Sequence, residues 1–491
     1  MEKASLGLPD LKTPYLRSVL ADKITPVLAF ERLRASSPYA FLFESSESDS
    51  RLARFSILGV DPIEVLLIHA DRLQVLSRQS NGSFKEIISE TGCDPLAFLS
   101  ERSAHLSKIT ESASAGASYA ALPFEGGYVG YFGYGASKFF DNIKQQSSDP
   151  LAVPDGVFAL YDSAIVFDHK ERQMRVISFR GKEHSGSLIA AMEDSRSGKE
   201  SLSSFAAVPA DPHSRVQAAM KKQEFIDRVL RCKEFIAEGQ VFQIVLAQRF
   251  AREYKGDPFC IYRALQSINP SPYGYYLQFP DFVYLGASPE RLLACRNGEL
   301  SLTALAGTRP RGRNEEEEKE LEHDLRSSEK ELAEHYMLVD LGRNDLGRVA
   351  EIGSVSWGEI ARVTRYGQVM HLSTDISARL QKGLTCFDAL RSCFPAGTVS
   401  GAPKIRAMEL LADLEPEKRG IYSGMVGYFD FKGNSDSAIA IRSAVVKNSV
   451  AHINAGAGIV QDSEPEAEYE ETRNKALSVL KAICIAEEIQ L

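Results

Sequence analysis

The chain has 491 residues, of which 44% are hydrophobic and 25% are charged, and its formal net charge is −9. That length has room for roughly three average domains or for two large ones, in an ordinary globular composition. Lysine and arginine are scattered rather than striped, so the negative chain is not expected to bind nucleic acid. No apolar run approaches the roughly 18 residues that cross a bilayer, and no basic start with an apolar core suggests a secretory signal.

The seven cysteines give a hint about the cellular compartment. They form no C-x-x-C pair and lack the histidine spacing of a zinc site. An odd number of cysteines without a disulfide framework suits a reducing cytoplasm. We therefore predict a cytoplasmic protein that does not bind to a membrane.

The first part of the chain is predicted to be rich in strands. Short β-type runs lie between residues 39 and 78, and residues 157–179 are predicted to form a hairpin. The small and polar residues 104–118 predict a surface loop. Polarity rises over residues 194–215, which we interpret as a linker. The predicted domains are therefore residues 1–215 and residues 216–491.

Strands and helices are interspersed in the second part of the chain. Asn297-Gly298 and Gly433-Asn434 each lie between two apolar runs, which is the pattern of a β-hairpin. Residues 315–339 are predicted to form one long charged helix with a leucine stripe. Hairpins interspersed with helices, without strict β-α-β alternation, favour an α+β fold. We expect large antiparallel β-sheets packed together, with helices on the outside.

Chemistry-bearing residues are concentrated near the C-terminus. An apolar strand at residues 450–453 leads into a predicted turn of small residues, 455–458, and then into a helix. Glu468, Glu471 and Lys475 are spaced to share one face of that helix. Backbone amides beside carboxylates and an ammonium group could hold an anionic substrate together with a hard cation. Taken alone, the acidic residues could equally complement the helix dipole, and Glu471 and Lys475 could be a solvated pair.

Other candidate residues lie in the middle of the chain. Gly307-Thr308 is predicted to form a turn that offers close backbone approach and a hydroxyl group. Glu334 lies off the leucine stripe where its own helix face becomes apolar, and a buried carboxylate needs a partner such as a metal ion. His371 faces away from the main core, and Arg442 shares a predicted strand face with small alanines, which leaves room for a ligand carboxylate. Each also has a purely structural interpretation. Gly307-Thr308 could be a surface turn and Glu334 could lie on a solvated helix face. His371 could be a hydrogen-bonded structural histidine, and Arg442 could form a salt bridge.

Seven segments form an ordered set of motifs: LAGTRPRG (305–312), LAEHYMLVDLGRNDLGR (332–348), VMHLSTD (369–375), FPAGTVSGAPKIRAMELL (394–411), RGIYSGMVGYF (419–429), AIAIRSA (438–444) and a stretch from AGAGIV (455–460) to YEETRNKA (469–476). In this order they resemble the chorismate-utilising enzymes, and the anthranilate synthase component I branch in particular. The resemblance covers nearly all of residues 224–489, and the joint pattern is highly specific. The first 200 residues match more loosely.

The resemblance implies a magnesium site and a catalytic group. Glu334 and Glu471 would bind Mg²⁺, with Glu468 close by, and the metal would neutralise the ring carboxylate of chorismate. Lys475 would add positive charge near the metal-bound end, and His371 would transfer a proton. Together with Thr308, these two residues form the implied catalytic group.

The resemblance also implies how the substrate is held. Gly456, Ala457 and Gly458 would bind a substrate carboxylate through their backbone amides. Tyr422 and Arg442 would hold the enolpyruvyl carboxylate, and Gly307 and Thr308 would line the ring. The implied reaction converts chorismate and ammonia to anthranilate and pyruvate.

Two positions separate this branch from its relatives. Aminodeoxychorismate synthases usually carry a nucleophilic lysine where this chain has Ala306. Isochorismate and salicylate synthases use a water-activating lysine at the position that matches Gln243. Both positions favour ammonia as the nucleophile, and aminodeoxychorismate synthase component I is kept as the alternative activity. A non-catalytic tryptophan-sensing subunit is the alternative of another class.

The resemblance extends to regulation and to a partner. Glu44 and Ser45, in a segment similar to the family's LLES element, would form a tryptophan feedback pocket with Pro272, Tyr273 and Gly274. No G-x-C-x-G motif of a glutamine amidotransferase surrounds any cysteine. The chain would therefore use free ammonia or receive it from a separate glutamine amidotransferase subunit.

Overall fold

The computed structural model describes residues 7–9, 11–45, 54–114, 122–141, 143–144, 146, 148–194, 211–366 and 369–489. Its strands are β1 (Tyr15–Leu20), β2 (Ala40–Glu44), β3 (Phe55–Val60), β4 (Glu64–His69), β5 (Arg72–Arg78), β6 (Phe84–Thr91), β7 (Gly127–Phe132), β8 (Gly156–Tyr161), β9 (Ser163–Asp168), β10 (Gln173–Ser178), β11 (Gln217–Ala218), β12 (Gln243–Glu253), β13 (Tyr273–Gln278), β14 (Val283–Ser288), β15 (Arg291–Arg296), β16 (Glu299–Pro310), β17 (Ser356–Trp357), β18 (Arg362–Arg365), β19 (Val369–Arg379), β20 (Gly401–Ala402), β21 (Met425–Asp430), β22 (Ser435–Ile439), β23 (Ser443–Lys447) and β24 (Val450–Ile459). Its α-helices are α1 (Pro26–Arg34), α2 (Pro95–Ser114), α3 (Lys182–Glu193), α4 (Lys222–Ala237), α5 (Pro258–Ile268), α6 (Glu315–Ser327), α7 (Glu329–Gly347), α8 (Cys386–Cys393), α9 (Lys404–Leu414) and α10 (Pro465–Ile489).

The strands form two antiparallel sheets of 12 strands each. The first sheet runs in the order β1-β10-β9-β3-β2-β13-β14-β23-β24-β12-β11, with β20 also paired to β12. The second sheet runs in the order β17-β19-β16-β15-β22-β21-β7-β8-β4-β5-β6, with β18 also paired to β19. The predicted α+β class with large antiparallel sheets is confirmed.

The two sheets pack face to face through aromatic side chains. Phe41 of β2 in the first sheet contacts Tyr161 of β8 in the second, with ring centroids 4.7 Å apart. Tyr131 of β7 lies against Tyr284 of β14, with centroids 6.0 Å apart. Such rings contribute large apolar area and fix the distance between the sheets. Buried residues of α1, α3, α5 and α10 cover the other face of the first sheet.

Both predicted hairpins are present. Asn297 and Gly298 join β15 to β16 with φ values of 51° and 79°, which is the left-handed conformation that a two-residue hairpin turn requires. Gly433, between β21 and β22, has φ 78°.

Each sheet contains strands from both predicted segments of the chain. In the first sheet β2 pairs with β13, so that Leu42 lies opposite Tyr276. In the second sheet β7 pairs with β21, so that Gly130 lies opposite Gly427. The division at residue 215 stays a prediction about folding units, and most of the predicted linker, residues 195–210, lies outside the described residues.

Three local predictions are wrong. Residues 104–114 are not a loop but the end of α2, whose Leu99 and Leu106 are buried at helical spacing; residues 115–118 lie outside the described part of the chain. The single helix at 315–339 is two helices, because Ser328 adopts an extended conformation and its hydroxyl accepts a hydrogen bond from the Glu331 amide at 3.4 Å. Residues 157–179 form three strands rather than one hairpin, because the chain changes sheets at Asp162, between β8 and β9.

None of the helices in the described residues is long and apolar enough to cross a membrane.

A buried ion pair ties α2 to the second sheet and gives a stability prediction. The Arg102 guanidinium donates to the Glu64 carboxylate from Nε at 2.8 Å and again from Nη2, and the Tyr128 hydroxyl donates to Glu64 at 2.7 Å. Because both charges are almost completely buried, Arg102→Met is expected to lower the free energy of unfolding by about 3–5 kcal/mol. Urea titration measures this loss.

The matched control is Lys319→Met, which breaks an exposed pair with Glu315 on α6. It should change the stability by no more than about 0.5 kcal/mol. Equal urea midpoints for the two variants would contradict the structural role of Arg102.

Candidate active site

Glu334 projects from the second turn of α7. Its carboxylate is half-buried and accepts a hydrogen bond from Gln243 Nε2 of β12 at 3.0 Å. Burial raises the pKa of Glu334; the Gln243 bond opposes that rise, and the negative charge of Glu331 adds to it. Gln243 and Glu331 therefore do not compensate the charge of the ionised Glu334 carboxylate, which a nearby cation would stabilise.

The C-terminal helix α10 contributes two more carboxylates and a lysine. Lys475 Nζ lies 2.6 Å from Glu471 Oε1 and donates a hydrogen bond to the Gly456 carbonyl at 3.0 Å. Glu468 is 7% exposed, and its Oε2 has no hydrogen-bond partner in the described part of the chain. Burial raises the pKa of Glu468. Glu471 itself is 45% exposed, so the group opens to solvent.

Glu471 is close enough to act on both of the other carboxylates. The charge of Glu471 raises the pKa of both Glu334 and Glu468, after the larger effect of burial, and Lys475 lowers both. The structure thus brings together residues that are more than 130 positions apart in the chain. Clustered carboxylates of this kind are stabilised when a cation lies between them.

The carboxylates are of the ligand type that magnesium prefers. Among the described residues, no group of three or more His, Cys, Asp or Glu side chains is arranged to hold a metal ion. Mg²⁺ does not need three protein side chains, since proteins usually hold it through one or two carboxylates, with water and substrate as the remaining ligands. The unpartnered Oε2 of buried Glu468 and the half-exposed Glu471 are suited to such an ion.

The small residues 455–458 are not a turn, as predicted, but the end of strand β24. They pair with β12, where Gly456 lies opposite Ala247 and Gly458 opposite Val245. The amides of Ala247 and Val245 bond elsewhere, to Glu415 and to the Ser400 carbonyl.

The Gly456 carbonyl accepts from Lys475. The backbone groups of Gly456 and Gly458 therefore point away from β12, whereas Ala457, between them, faces Leu246.

Both glycines lie against polar side chains of the candidate site. A Cβ atom at Gly456 would be 3.1 Å from the Tyr422 hydroxyl, and one at Gly458 would be 2.8 Å from Gln243 Nε2. Larger residues would fill the space beside these groups. The open edge of β24 therefore leaves backbone donors that an anionic ligand can approach.

Arg442 lies between β22 and β23, at the point where the chain passes from the second sheet to the first. The prediction that it shares a strand face with alanines is wrong, because its φ is 52° and the strand is interrupted there. Arg442 Nη1 donates to the Lys475 carbonyl at 2.9 Å. Burial lowers the pKa of Arg442, while Tyr422 and Glu471 raise it. Arg442 and Tyr422 thus lie on the same side of the site as Lys475.

His371 is joined to a bulge in β16. Gly307 and Thr308 are not in a surface turn, as predicted, but lie where the β16–β19 register shifts, and Gly307 has φ 60°. His371 Nδ1 is 2.7 Å from the Gly307 carbonyl and 3.1 Å from the Thr308 hydroxyl. Burial lowers the pKa of His371, and Arg442 and Lys475 lower it further. Because Nδ1 donates to the carbonyl, Nε2 of the neutral ring is left as a proton acceptor.

One candidate residue was missed in the sequence. Glu290 lies in the sequence Ser288-Pro289-Glu290-Arg291, between β14 and β15, and is 8% exposed. Burial raises the pKa of Glu290 to about 8, with smaller opposing effects of Thr398 and Lys475. A carboxyl group that stays protonated near neutral pH is a candidate proton donor. Its only sequence signal was an acidic residue after proline at the start of an apolar strand.

A separate cavity lies near the N-terminal strands. All the residues predicted for a feedback pocket line it: Glu44, Ser45, Pro272, Tyr273 and Gly274. The Tyr262 hydroxyl donates to Glu44 at 2.7 Å, and burial raises the pKa of Glu44. Ser45 Oγ is buried without a hydrogen-bond partner among the described residues. We call this space the N-terminal cavity.

Comparison with known proteins places the chain in a family. A family model described as chorismate binding enzyme matches residues 64–481. Anthranilate synthase component 1 of Acetivibrio thermocellus is 40% identical over 97% of this chain and 96% of its own, and that of Aquifex aeolicus is 41% identical over the same shares.

Solved structures agree with this assignment. The crystal structure of anthranilate synthase component I from Streptococcus pneumoniae superimposes with a TM-score of 0.74 at 37% identity, covering 94% of this chain and 99% of that one. The menaquinone-specific isochorismate synthase of Escherichia coli, at 19% identity, shares the fold with a TM-score of 0.68 over 98% of this chain and 97% of its own. The resemblance seen in the sequence is confirmed, and the chain belongs to the chorismate binding enzyme family.

Proposed function

We propose that the chain is component I of an anthranilate synthase, which converts chorismate and ammonia to anthranilate, pyruvate and water in tryptophan biosynthesis. The observation that supports the proposal best is the set of contacts made by Lys475. Its ammonium group contacts Glu471 and the Gly456 carbonyl, and its own carbonyl accepts from Arg442. A dianionic substrate needs this combination of fixed cations and backbone donors beside a metal site.

Mg²⁺ would be held by Glu334 and Glu471, with Glu468 close by, and when bound it would neutralise the ring carboxylate of chorismate. Arg442 and Tyr422 would hold the enolpyruvyl carboxylate, because a guanidinium group and a phenol suit its two oxygens. The outward-facing backbone groups of Gly456 and Gly458 would supply further donors, and Gly307 and Thr308 would line the ring.

Two side chains would transfer protons in the proposed chemistry. Ammonia forms a bond to ring carbon C2 while the C4–oxygen bond breaks; protonated Glu290 would give the departing hydroxyl the proton that makes it water, and would regain a proton from the ammonium group formed at C2. His371 Nε2 would then accept the C2 proton as the C3–oxygen bond breaks and the ring becomes aromatic, and the released enolate would take that proton at its methylene carbon to become pyruvate. Each positioned transfer contributes typically about 10²–10⁴-fold.

Two side chains support ammonia as the nucleophile. Ala306 is buried opposite Leu372 and has no amine to attack the ring, as aminodeoxychorismate synthases require. Gln243 is an amide bonded to Glu334, and an amide does not activate water as a base. Because Ala306 weighs against it, aminodeoxychorismate synthase component I is only the second candidate activity.

A separate glutamine amidotransferase is the proposed source of ammonia. None of the seven cysteines lies in a glutaminase nucleophile motif, and all are free thiols. The relatives at 40% and 41% identity carry the name component 1, which implies a further component. Free thiols are also consistent with the proposed cytoplasmic location.

Tryptophan is the proposed occupant of the N-terminal cavity. The cavity has apolar and aromatic walls, among them Phe43, Pro272 and Tyr273. The Glu44 carboxylate could receive an ammonium group, and the unpartnered Ser45 hydroxyl could bond a ligand. End-product inhibition would follow if occupation of this cavity slowed the catalytic site.

Product analysis tests the activity directly. The purified chain, given chorismate, Mg²⁺ and an ammonium salt, should release fluorescent anthranilate and one equivalent of pyruvate. Accumulation of 4-amino-4-deoxychorismate without pyruvate would favour the second candidate activity. Tryptophan binding without any turnover would favour the non-catalytic sensing subunit.

Glu471→Gln tests the metal site. Removing one charge from the carboxylate group should lower kcat/KM by at least on the order of a hundredfold at saturating Mg²⁺, without loss of fold. The control is Glu470→Gln at the adjacent position, where the side chain is exposed and pairs with Arg473 on the same helix. Similar activities of the two variants would remove Glu471 from the site.

Ser45→Ala tests the regulatory proposal. Loss of one hydrogen bond in a desolvated cavity should raise the tryptophan concentration for half-inhibition about tenfold. Ser83→Ala, at an exposed hairpin tip, serves as the control and should be inhibited like the parent. An unaltered tryptophan response of Ser45→Ala would refute the N-terminal cavity as the tryptophan site.

A further inference from the structure

Two cavities lie on opposite sides of one pair of strands. The N-terminal cavity is lined by Ala438 of β22. The next residue, Ile439, lines a second cavity, together with Glu290 and Thr398. We call this the Glu290 cavity. The pairing of β15 with β22 therefore lies between the proposed regulatory space and the proposed proton donor.

A hydrogen-bonded network crosses that boundary. Tyr273 is part of the wall of the N-terminal cavity, and its hydroxyl accepts a hydrogen bond from Arg291 Nε at 2.7 Å. The same hydroxyl donates to Asp436 Oδ1 at 3.0 Å. Arg291 Nη1 also donates to the Ser301 hydroxyl at 3.3 Å. Because bonds to charged partners are the stronger kind, the Tyr273 hydroxyl is fixed between a cation and an anion.

The backbone of Arg291 belongs to the Glu290 cavity. Glu290 and Arg291 are consecutive residues, and both line that cavity. The Glu290 carbonyl accepts from the Ile439 amide at 3.0 Å. The register of β15 and β22 shifts directly after Arg291, so that Leu292 has no opposite residue. A β-bulge of this kind sets the direction of nearby side chains and lets a strand end shift without breaking the sheet.

We propose that Arg291 is a positioning residue for Glu290, and that a ligand in the N-terminal cavity acts on catalysis by moving Tyr273, which holds Arg291. This inference rests on the proposed function, since it names the route between the regulatory and catalytic sites.

The geometry supplies a reason for such coupling. Tyr273 lines the N-terminal cavity, and its hydroxyl bonds to Arg291. A ligand shifts an equilibrium between two arrangements only if it binds one of them more tightly. In one arrangement the Tyr273 hydroxyl holds Arg291, and in the other it has released Arg291. The ring would be placed differently in the two, so a ligand that contacts the ring would bind them unequally. Release would let the bulged start of β15 move, and Glu290 with it.

Tyr273→Phe is the decisive variant, because it keeps the ring in the cavity and removes only the hydroxyl. We expect it to bind tryptophan with a Kd within about threefold of the parent, measured by equilibrium dialysis. Its kcat with ammonium should fall on the order of tenfold with little change in KM for chorismate. The remaining activity should no longer respond to saturating tryptophan.

Tyr428→Phe is the matched control. Its ring lines the same cavity, but its hydroxyl donates to the Pro123 carbonyl at 3.1 Å rather than contacting Arg291. This variant should bind tryptophan and remain inhibited by it. Loss of inhibition in both variants would mean that any hydroxyl in the cavity wall matters, and would overturn the proposed route.

A double-mutant cycle with Arg291→Lys checks that the two residues act through one bond. Lysine keeps the charge but not the guanidinium geometry, so the single variant should resemble Tyr273→Phe. The double variant should be no slower and no less sensitive to tryptophan than either single variant. Additive losses would contradict a shared path.

The outcomes separate this inference from the function on which it rests. If the parent chain does not convert chorismate, the proposed function fails. If it converts chorismate but does not bind tryptophan, the regulatory ligand is wrong. If Tyr273→Phe binds tryptophan and is still fully inhibited, or loses inhibition only because it no longer binds tryptophan, the route through Arg291 is wrong.

Discussion

The candidate site depends on one lysine that links two consecutive elements of the chain, β24 and α10. Lys475 Nζ links Glu471 of α10 to the Gly456 carbonyl of β24, and Arg442 is bonded to the carbonyl of the same lysine. Its charge also acts on Glu334, His371 and Glu290. One partly exposed ammonium group therefore acts on several acidic and basic groups at once.

The charges of the site residues are not fully compensated by their neighbours, and a binding site for charged ligands requires such uncompensated charge. Burial raises the pKa of Glu334 and Glu468, and Lys475 only partly opposes it. On the other side, burial and neighbouring cations lower the pKa of His371, and burial lowers that of Arg442. A divalent cation would relieve the first group, and an anionic substrate would relieve the second. Preorganised charges of this kind cost no reorganisation when the reaction occurs.

The sequence predicted the fold class and the two hairpins, because these follow from periodicity and turn chemistry. The resemblance to the family supplied the residues that line the N-terminal cavity. The sequence did not predict features that depend on which strands pair and which distant elements pack together. Residues 455–458 have the composition of a turn, yet β12 makes them a strand. Arg442 fits a strand pattern, yet the chain changes sheets there. Glu290 looks ordinary in the sequence, because its burial comes from elements far away in the chain.

We propose that Glu334 and Glu471 share one divalent cation beside the open edge of β24. The most direct measurement is anomalous diffraction from crystals of the protein grown with Mn²⁺ and chorismate, without ammonium. The account predicts a single anomalous peak in contact with both carboxylates and with a carboxylate of the substrate. A substrate bound at this edge with no metal peak between the two glutamates would contradict it.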